Sequence, residues 1–237
     1  MWNSIKKHLL DTWLHPRHLA LREITRFVAS KGPKLRGRLL DVGCGKKPYA
    51  QLVPNTRPHI GIDLPSTMHG FLKTDAFAAV LALPFADHTF DSILCTEVLE
   101  HTLDPAHTLK EMARVAKPGA RLLLTVPFSE QLHEEPHDYC RFTKHWLLYL
   151  MKANGWTVEK ITERGGAWLD LGYRFSGFLY GSAGATVGTK GNLYPRPILG
   201  PLTALMCAAI QLAACGLDRL WPSRLSTQGY GVLDRRG

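Results

Sequence analysis

From residue 38 onward the chain alternates short apolar runs with stretches of helical period. "RLLDV" (38–42), "HIGID" (59–63), "FDSILCT" (90–96) and "ARLLLTVP" (120–127) read as buried strands, with "FLKTD" (71–75) a shorter candidate. A helix is expected across 105–116, opened by Asp104-Pro105 and closed by "KPG" (117–119). A second is expected over 143–154, capped by Thr143 and stopped by Asn154-Gly155, leading into the strand "WTVEKIT" (156–162). Strand and helix in this rhythm predict a mostly parallel sheet with helices on both faces.

The ends of the chain depart from that rhythm. Residues 1–36 read as an amphipathic helical arm, with Trp2, Ile5, Leu9 and Trp13 near one face and Lys6, Lys7 and His8 off it. Charges run throughout it, which is not the pattern of a secretion signal. Residues 166–222 form an insertion, first rich in Gly and Pro, then uncharged over "ILGPLTALMCAAIQLAACGL" (198–217). Twenty such residues could span a bilayer by length. However, Pro201, Thr203 and Gln211 weaken the stretch, and "QGYGVLDRR" (228–236) looks like a strand that must return to the sheet. A buried helix and a helix in the membrane interface both fit better than a spanning one. The expected division is therefore an arm (1–36), a core (37–165), an insertion (166–222) and a final segment (223–237) that completes the sheet.

Composition narrows the class. With 237 residues, 45% hydrophobic and 21% charged, the chain suits one substantial globular domain. Its net charge of +9 points to an anionic partner: a membrane surface, a phosphorylated substrate or nucleic acid. Five cysteines without a CxxC pair fit neither a zinc ribbon nor a secreted disulfide framework, and a reducing, cytoplasmic setting is expected.

The chemistry concentrates first in "LLDVGCGKKPY" (39–49), a strand running into a glycine turn. Gly43 and Gly45 tolerate positive φ and let a ligand approach the backbone. Asp63 ends the next strand, twenty residues after Gly43, where a carboxylate can accept from both hydroxyls of a ribose. A dinucleotide fingerprint would need a third glycine at position 48, which is Pro48. Asp41 would repel a pyrophosphate but suits an ammonium group. The ligand these features describe has a ribose and an amino group and lacks a pyrophosphate.

The run from "LLDVGCG" through "GIDL" and "TDAFAAVLALPF" to "FDSILCTEVLEH" and "ARLLLTVP" resembles the class I S-adenosylmethionine-dependent methyltransferases, in the small-molecule branch that includes quinone and lipid methyltransferases. The likeness covers about residues 37–165. It implies a Rossmann-like α/β fold with a seven-stranded sheet, one strand antiparallel, and S-adenosylmethionine as the cofactor. Carried over by motif, it puts the methionine moiety against Asp41, Gly43 and Gly45, and the ribose on Asp63. Asp75 and Ala76 would lie by the adenine, the Asp75 carboxylate near its amine, with Leu83-Pro84-Phe85 as a wall. Cys95 and Thr96 would line the floor below the sulfonium. Glu97 and His101 in "EVLEH" are expected to be structural.

The second concentration is "HEEPHDYCRF" (133–142), whose first five residues spell the H-E-x-x-H of zinc peptidases. That motif binds metal from one helix face, and Pro136 disfavours helix there. No metal is expected. The segment follows the fifth strand, where similar methyltransferases border the acceptor. His137 is the first candidate base, oriented by Asp138, with His133 as a rival. Tyr139 could bond or stack on the acceptor, and Arg141 could bind an acidic group on it. The structural alternative has His137-Asp138 ending the loop and Arg141 pairing with Glu134 or Glu135.

The leading expectation is O-methylation of a small acceptor that is lipidic, quinone-like or saccharide, with peripheral membrane contact. RNA methylation, prompted by the charge, is the rival, without an appended RNA-binding module and without an N/D-P-P-Y/F tetrapeptide after strand four ("CTEV" stands there). A non-catalytic cofactor-binding partner subunit is the third reading.

Overall fold

The computed structural model describes residues 12–65, 73–187, 193–196 and 198–237. The chain forms two compact units. One comprises Ile24–Arg164 and Gly229–Gly237; the other comprises the chain before Ile24 and Gly165–Gln228.

The first unit holds a seven-stranded sheet. In chain order the elements are α1 (His18–Lys31, shared between the units), β1 (Gly37–Val42), β2 (Thr56–Asp63), β3 (Ala76–Phe77), β4 (Phe90–Thr96), α2 (Pro105–Val115), β5 (Ala116–Pro127), α3 (Lys144–Ala153) and β6 (Trp156–Arg164). Two helices, α4 (Ala167–Leu179) and α5 (Leu199–Leu220), and a short antiparallel ribbon, β7 (Ala185–Val187) with β8 (Leu193–Pro195), belong to the second unit. The last strand, β9 (Gly229–Arg236), returns to the first.

The strand order is β3-β2-β1-β4-β5-β9-β6, and β9 alone runs opposite to the other six strands. The order reverses between β1 and β4. There the strands' carboxyl ends diverge and leave a crevice, the usual ligand position in such sheets. The Rossmann-like fold and the role of "QGYGVLDRR" as its last strand are as expected.

Local signals explain the elements. Asp104 caps α2 by accepting from the His107 amide at 2.9 Å, with Pro105 in the first turn where a missing N–H costs nothing. Thr143 caps α3 through the Trp146 amide at 3.2 Å. The "KPG" stop is already sheet: β5 begins at Ala116, and Gly119 takes a left-handed φ of 75° within it. The third strand falls at Ala76–Phe77 and not at 71–75, of which Phe71 and Leu72 lie outside the described residues. Of the amphipathic arm, Trp2, Ile5, Leu9 and the neighbouring Lys6, Lys7 and His8 also lie outside them.

The sheet unit begins at Ile24, earlier than residue 37, for a packing reason. Ile24, Phe27 and Val28 of α1 bury themselves with Leu39, Leu94, Leu123 and Leu233. Gly231 makes that contact possible: a Cβ there would meet the Phe27 ring at 2.6 Å. On the opposite face, Leu40, Val42, Ile93, Cys95, Leu122 and Leu124 pack under Leu109, Met112 and Leu147 of α2 and α3.

In the second unit α5 shows a narrow buried stripe of Gly200, Thr203, Cys207, Gln211 and Ala214. The Cys207 thiol donates to the Ser176 carbonyl of α4 at 3.3 Å. The Gln211 amide bonds the carbonyls of Trp13 and His15, at 3.0 and 3.1 Å, and accepts from the Leu19 amide at 3.1 Å. The polar residues that weaken the apolar run are therefore its packing face. Leu202, Leu205, Met206 and Leu212 stay exposed, as do Leu171, Phe175 and Phe178 of α4. By length and composition α5 is apolar enough to cross a bilayer.

One buried cation joins the strand ends of the sheet unit. Arg164 donates to Glu97 at 2.8 Å, to the Val126 carbonyl at 2.8 Å and to the Tyr230 carbonyl at 3.2 Å. Arg164→Ala strands these acceptors, and removing one partner of a buried pair costs at least about 3 kcal/mol. Thermal unfolding of this variant should begin roughly 6–12 °C lower at that cost. A melting temperature within about 2 °C of wild type would show that the guanidinium is dispensable.

Candidate functional site

The crevice is built around the glycine turn. β1 ends at Val42, and the chain reverses through Gly43 (φ 65°) and Gly45 (φ 47°), both left-handed. A Cβ on Gly43 would stand 2.3 Å from Val98 Cγ2, so the turn closes onto the segment after β4 only with glycine present. Asp63, at the end of β2, clamps the turn from the other side. Its Oδ2 accepts the Gly45 amide and its Oδ1 the Leu64 amide, each at 2.8 Å. Beside this carboxylate stand two exposed apolar side chains: Leu64, and Phe77, Asp63's register partner on β3.

This arrangement fits S-adenosylmethionine. The open backbone at Gly43–Gly45 admits close approach. A carboxylate at the β2 end can accept from ribose hydroxyls, and Leu64 with Phe77 offers apolar surface for a purine.

Other residues assigned to the cofactor sit differently. Asp41 is buried, with Oδ2 2.8 Å from His59 Nε2. Burial pushes its carboxyl up and His59 opposes that rise. Its partner is thus a side chain, not an open position for an ammonium. Asp75 accepts the Gly61 amide at 2.7 Å and pairs with Lys47, both through Oδ2. Burial opposes ionisation of Asp75, but the Gly61 amide and Lys47 outweigh it and hold the carboxyl low. Ala76, half-buried, opens β3 opposite Ile62.

Cys95 is a core residue and not a floor: it is fully buried, and burial pushes its thiol well up. Thr96 is half-buried at the end of β4, opposite Thr125. The Leu83–Phe85 segment is held by Arg114, which donates to the carbonyls of both Leu83 (2.9 Å) and Phe85 (2.8 Å).

The turn after β4 carries Glu97, expected to be structural, and Glu100, which its motif did not single out. Glu97 adopts a left-handed φ of 52°, which a non-glycine residue seldom takes, and it is the Arg164 partner. Burial, then the Glu97 charge, pushes the Tyr49 phenol to about 12. Glu100 is completely buried, and neither carboxylate oxygen has a hydrogen-bond partner. Burial and the neighbouring Glu97 raise its carboxyl well above the ordinary range. "EVLEH" offered these acids in plain view. Lys47 and His59 had no visible signal, because their partners are remote in sequence.

The loop after β5 contains no helix across 133–137, in line with Pro136 and against a peptidase-type zinc site. Its hub is Asp138, whose carboxylate takes a forked pair from Arg141 at 2.6 and 2.7 Å and the His133 amide at 3.0 Å. Burial opposes the ionised form, yet Arg141 and His133 hold the Asp138 carboxyl low. Two expectations change accordingly. Asp138 orients Arg141 and His133 and does not touch His137, whose Nδ1 lies 2.9 Å from the Tyr139 hydroxyl. Arg141 pairs with neither Glu134 nor Glu135; besides Asp138 it bonds the carbonyls of Glu130 and Gln131. Its charge is already matched, which weakens it as a receptor for an acidic acceptor. The loop is fixed to the β4 turn where the amides of Tyr139 and Cys140 donate to the Glu100 carbonyl, at 2.9 and 3.2 Å.

Known proteins share this layout. Residues 13–168 match the family described as methyltransferase domain. The chain belongs to that family, and its class is the S-adenosylmethionine-dependent methyltransferases. It is 31% identical over 139 residues to an O-methyltransferase of Aspergillus nomiae, covering 52% of this chain and 62% of the relative. It is 28% identical over 100 residues to the ubiquinone biosynthesis O-methyltransferase of Aeromonas salmonicida (37% and 42% covered). It is 34% identical over 138 residues to a tRNA U34 carboxymethyltransferase of Nautilia profundicola (52% and 46% covered). The chain thus spans between 42% and 62% of the length of these three relatives. Its fold superposes on an S-adenosylmethionine-dependent methyltransferase of Mesorhizobium loti with a TM-score of 0.54 at 15% identity, covering 93% of this chain and 98% of that one.

Gly43→Ala tests the turn. The new methyl forces Val98 aside and meets an unfavourable left-handed φ, together worth roughly 2 kcal/mol or more. The variant should keep its circular dichroism yet lose at least about tenfold in affinity for S-adenosylhomocysteine, the factor that 1.4 kcal/mol corresponds to. Unchanged affinity would detach ligand binding from this turn.

Proposed function

We propose that the protein transfers the methyl group of S-adenosylmethionine to an oxygen of a small acceptor that is lipidic, quinone-like or saccharide, at the cytoplasmic surface of a membrane. The observation that carries the transferase reading is the glycine turn clamped by Asp63 beside an exposed Leu64 and Phe77. In this reading Asp63 accepts the ribose hydroxyls and the Gly43–Gly45 backbone faces the amino-acid end. Ala76 borders the purine, with Asp75 keeping Lys47 and the β2 end in place. Asp41 shapes the same end through His59 and does not meet the ligand directly.

When bound, the cofactor would supply an electrophilic methyl on a sulfonium, with its thioether as the leaving group. This chain then has to align the acceptor and desolvate it, and to remove a hydroxyl proton. His137 with Tyr139 is the exposed pair in the loop that can take such a proton, the Tyr139 hydroxyl lying 2.9 Å from His137 Nδ1. His133, tied to Asp138, is the less available base.

Oxygen as the acceptor atom rests on two relatives named as O-methyltransferases. Membrane contact rests on the apolar rows of α4 and α5 together with a net charge of +9, which anionic headgroups complement. One relative's name supports tRNA as the rival acceptor, and the same positive charge favours it.

Calorimetric titration with S-adenosylmethionine and S-adenosylhomocysteine is the primary test, beside Asp63→Ala. Micromolar binding in wild type, weakened at least about 100-fold in the variant by loss of charge-assisted hydrogen bonds, is the expected result. Absence of heat and of thermal stabilisation with both ligands would leave a scaffold in place of an enzyme.

Flotation separates the acceptor settings. Co-migration with vesicles containing anionic lipid, reduced at least about fivefold in Leu205→Ser/Phe178→Ser, supports the membrane reading, since about 1 kcal/mol of lost apolar burial suffices for that factor. Failure to float, combined with oligonucleotide binding that falls steeply with salt, would favour RNA.

A further inference from the structure

His133, the first histidine of the H-E-x-x-H run, meets a different pair of residues from the one the run suggests. The turn after β4 spans Leu99–His101, and it presents Glu100 and His101 to the loop that carries His133. One ligand atom from each of Glu100, His101 and His133 lies within 4.8 Å of the other two. The two imidazoles meet edge to face with ring centroids 4.9 Å apart.

The hydrogen bonds fix what the rings present to each other. His101 Nδ1 lies 2.8 Å from the His137 carbonyl, and a carbonyl only accepts, so Nδ1 carries the proton. His133 Nδ1 lies 3.0 Å from the Gln131 carbonyl and 3.2 Å from Asp138 Oδ2, both acceptors, so it too is the protonated nitrogen. In the neutral rings each Nε2 is left with a lone pair. That of His101 stands 3.8 Å from Glu100 Oε1.

A carboxyl oxygen of Glu100 and one ring nitrogen each of His101 and His133 thus gather in one place. Glu100 is 0% exposed and neither of its oxygens has a partner. A buried carboxylate without a donor is costly, and a cation is the partner this donor set lacks. Histidine ligands whose second nitrogen donates to a carbonyl or carboxylate are the usual outer arrangement of a metal centre. Both rings here have that support already.

We propose that Glu100, His101 and His133 form a binding site for a divalent transition-metal ion, of the two-histidine, one-carboxylate type. Nitrogen and oxygen donors in this ratio suit zinc and its neighbours and leave open coordination positions. Ligands about 2.1 Å from a tetrahedral zinc stand about 3.4 Å from one another, so closing the shell takes a shift of at most about 1.4 Å. His133 sits on a loop, where such a shift is accommodated by local backbone adjustment. The site lies at the carboxyl ends of β4 and β5, and its open positions suit oxygen atoms of an acceptor. This last use rests on the methyltransferase reading; the binding of the ion does not.

The test uses the full chain, freed of metal by chelation and titrated with cobalt(II) and zinc chloride. Expected are one ion per chain, a visible d–d spectrum for cobalt, and a raised melting temperature. Glu100→Gln and His133→Asn should each weaken binding at least about 100-fold, since even outer supporting partners are worth about 10–100-fold. His137→Asn, which alters the other histidine of the run but keeps the backbone carbonyl that holds His101, should bind the ion like wild type. S-adenosylhomocysteine affinity is measured on every variant, so that a damaged fold, or a failed cofactor reading, is seen separately from a failed metal site. His133 is on the loop, and its replacement leaves the buried turn intact if Glu100→Gln misfolds. No stoichiometric uptake, or uptake that survives both substitutions, overturns the proposal and leaves Glu100 a buried neutral acid.

Discussion

The site depends on how the chain leaves β4. Glu97 is held in a left-handed conformation by a hydrogen bond from its amide to the Thr125 carbonyl and by the ion pair to buried Arg164. That guanidinium also bonds the carbonyls of Val126 and Tyr230, so β4, β5, β6 and β9 share one fixed edge. Strain of this kind persists only where its surroundings over-determine it. From this anchor follow the position of Val98 under Gly43, the burial of Glu100, and the direction in which His101 faces. A shift at residue 97 would move all three.

The loop after β5 is built onto that turn and not onto the sheet. The Glu100 carbonyl receives two loop amides, and the His137 carbonyl receives the His101 imidazole. Asp138 organises the remainder by pulling Arg141 and His133 into one network. A run of seven polar and charged residues therefore divides its work. Asp138 and Arg141 are structural, His133 faces the β4 turn, and His137 with Tyr139 stays open to solvent. A single ionised hub of this kind gives the loop a definite shape without a hydrophobic core of its own.

The second unit follows another economy. Its long helix α5 packs through small and polar side chains, where Gly200, Cys207 and Ala214 allow close approach and Gln211 bonds three backbone groups of residues 13–19. The large apolar residues are left on the outside. This reverses the usual distribution of a helix in water.

Periodicity in the sequence was enough for six of the seven strands, for α2 and α3 and for the return of the last strand, because apolar alternation and capping residues act over a few neighbouring positions. The glycine turn and Asp63 were legible for the same reason: their spacing along two adjacent strands sets their meeting. What the sequence could not disclose were partnerships across distance. Asp41 with His59, Asp75 with Lys47, Arg164 with Glu97, and Glu100 with His133 each join residues from different strands or loops. Cys95 is a core residue because β4 buries that face, and Gln211 lies inward because neighbouring backbone needs its amide. Local physics wrote the elements into the sequence, whereas burial and the pairing of charges were decided only when the strands' carboxyl ends came together.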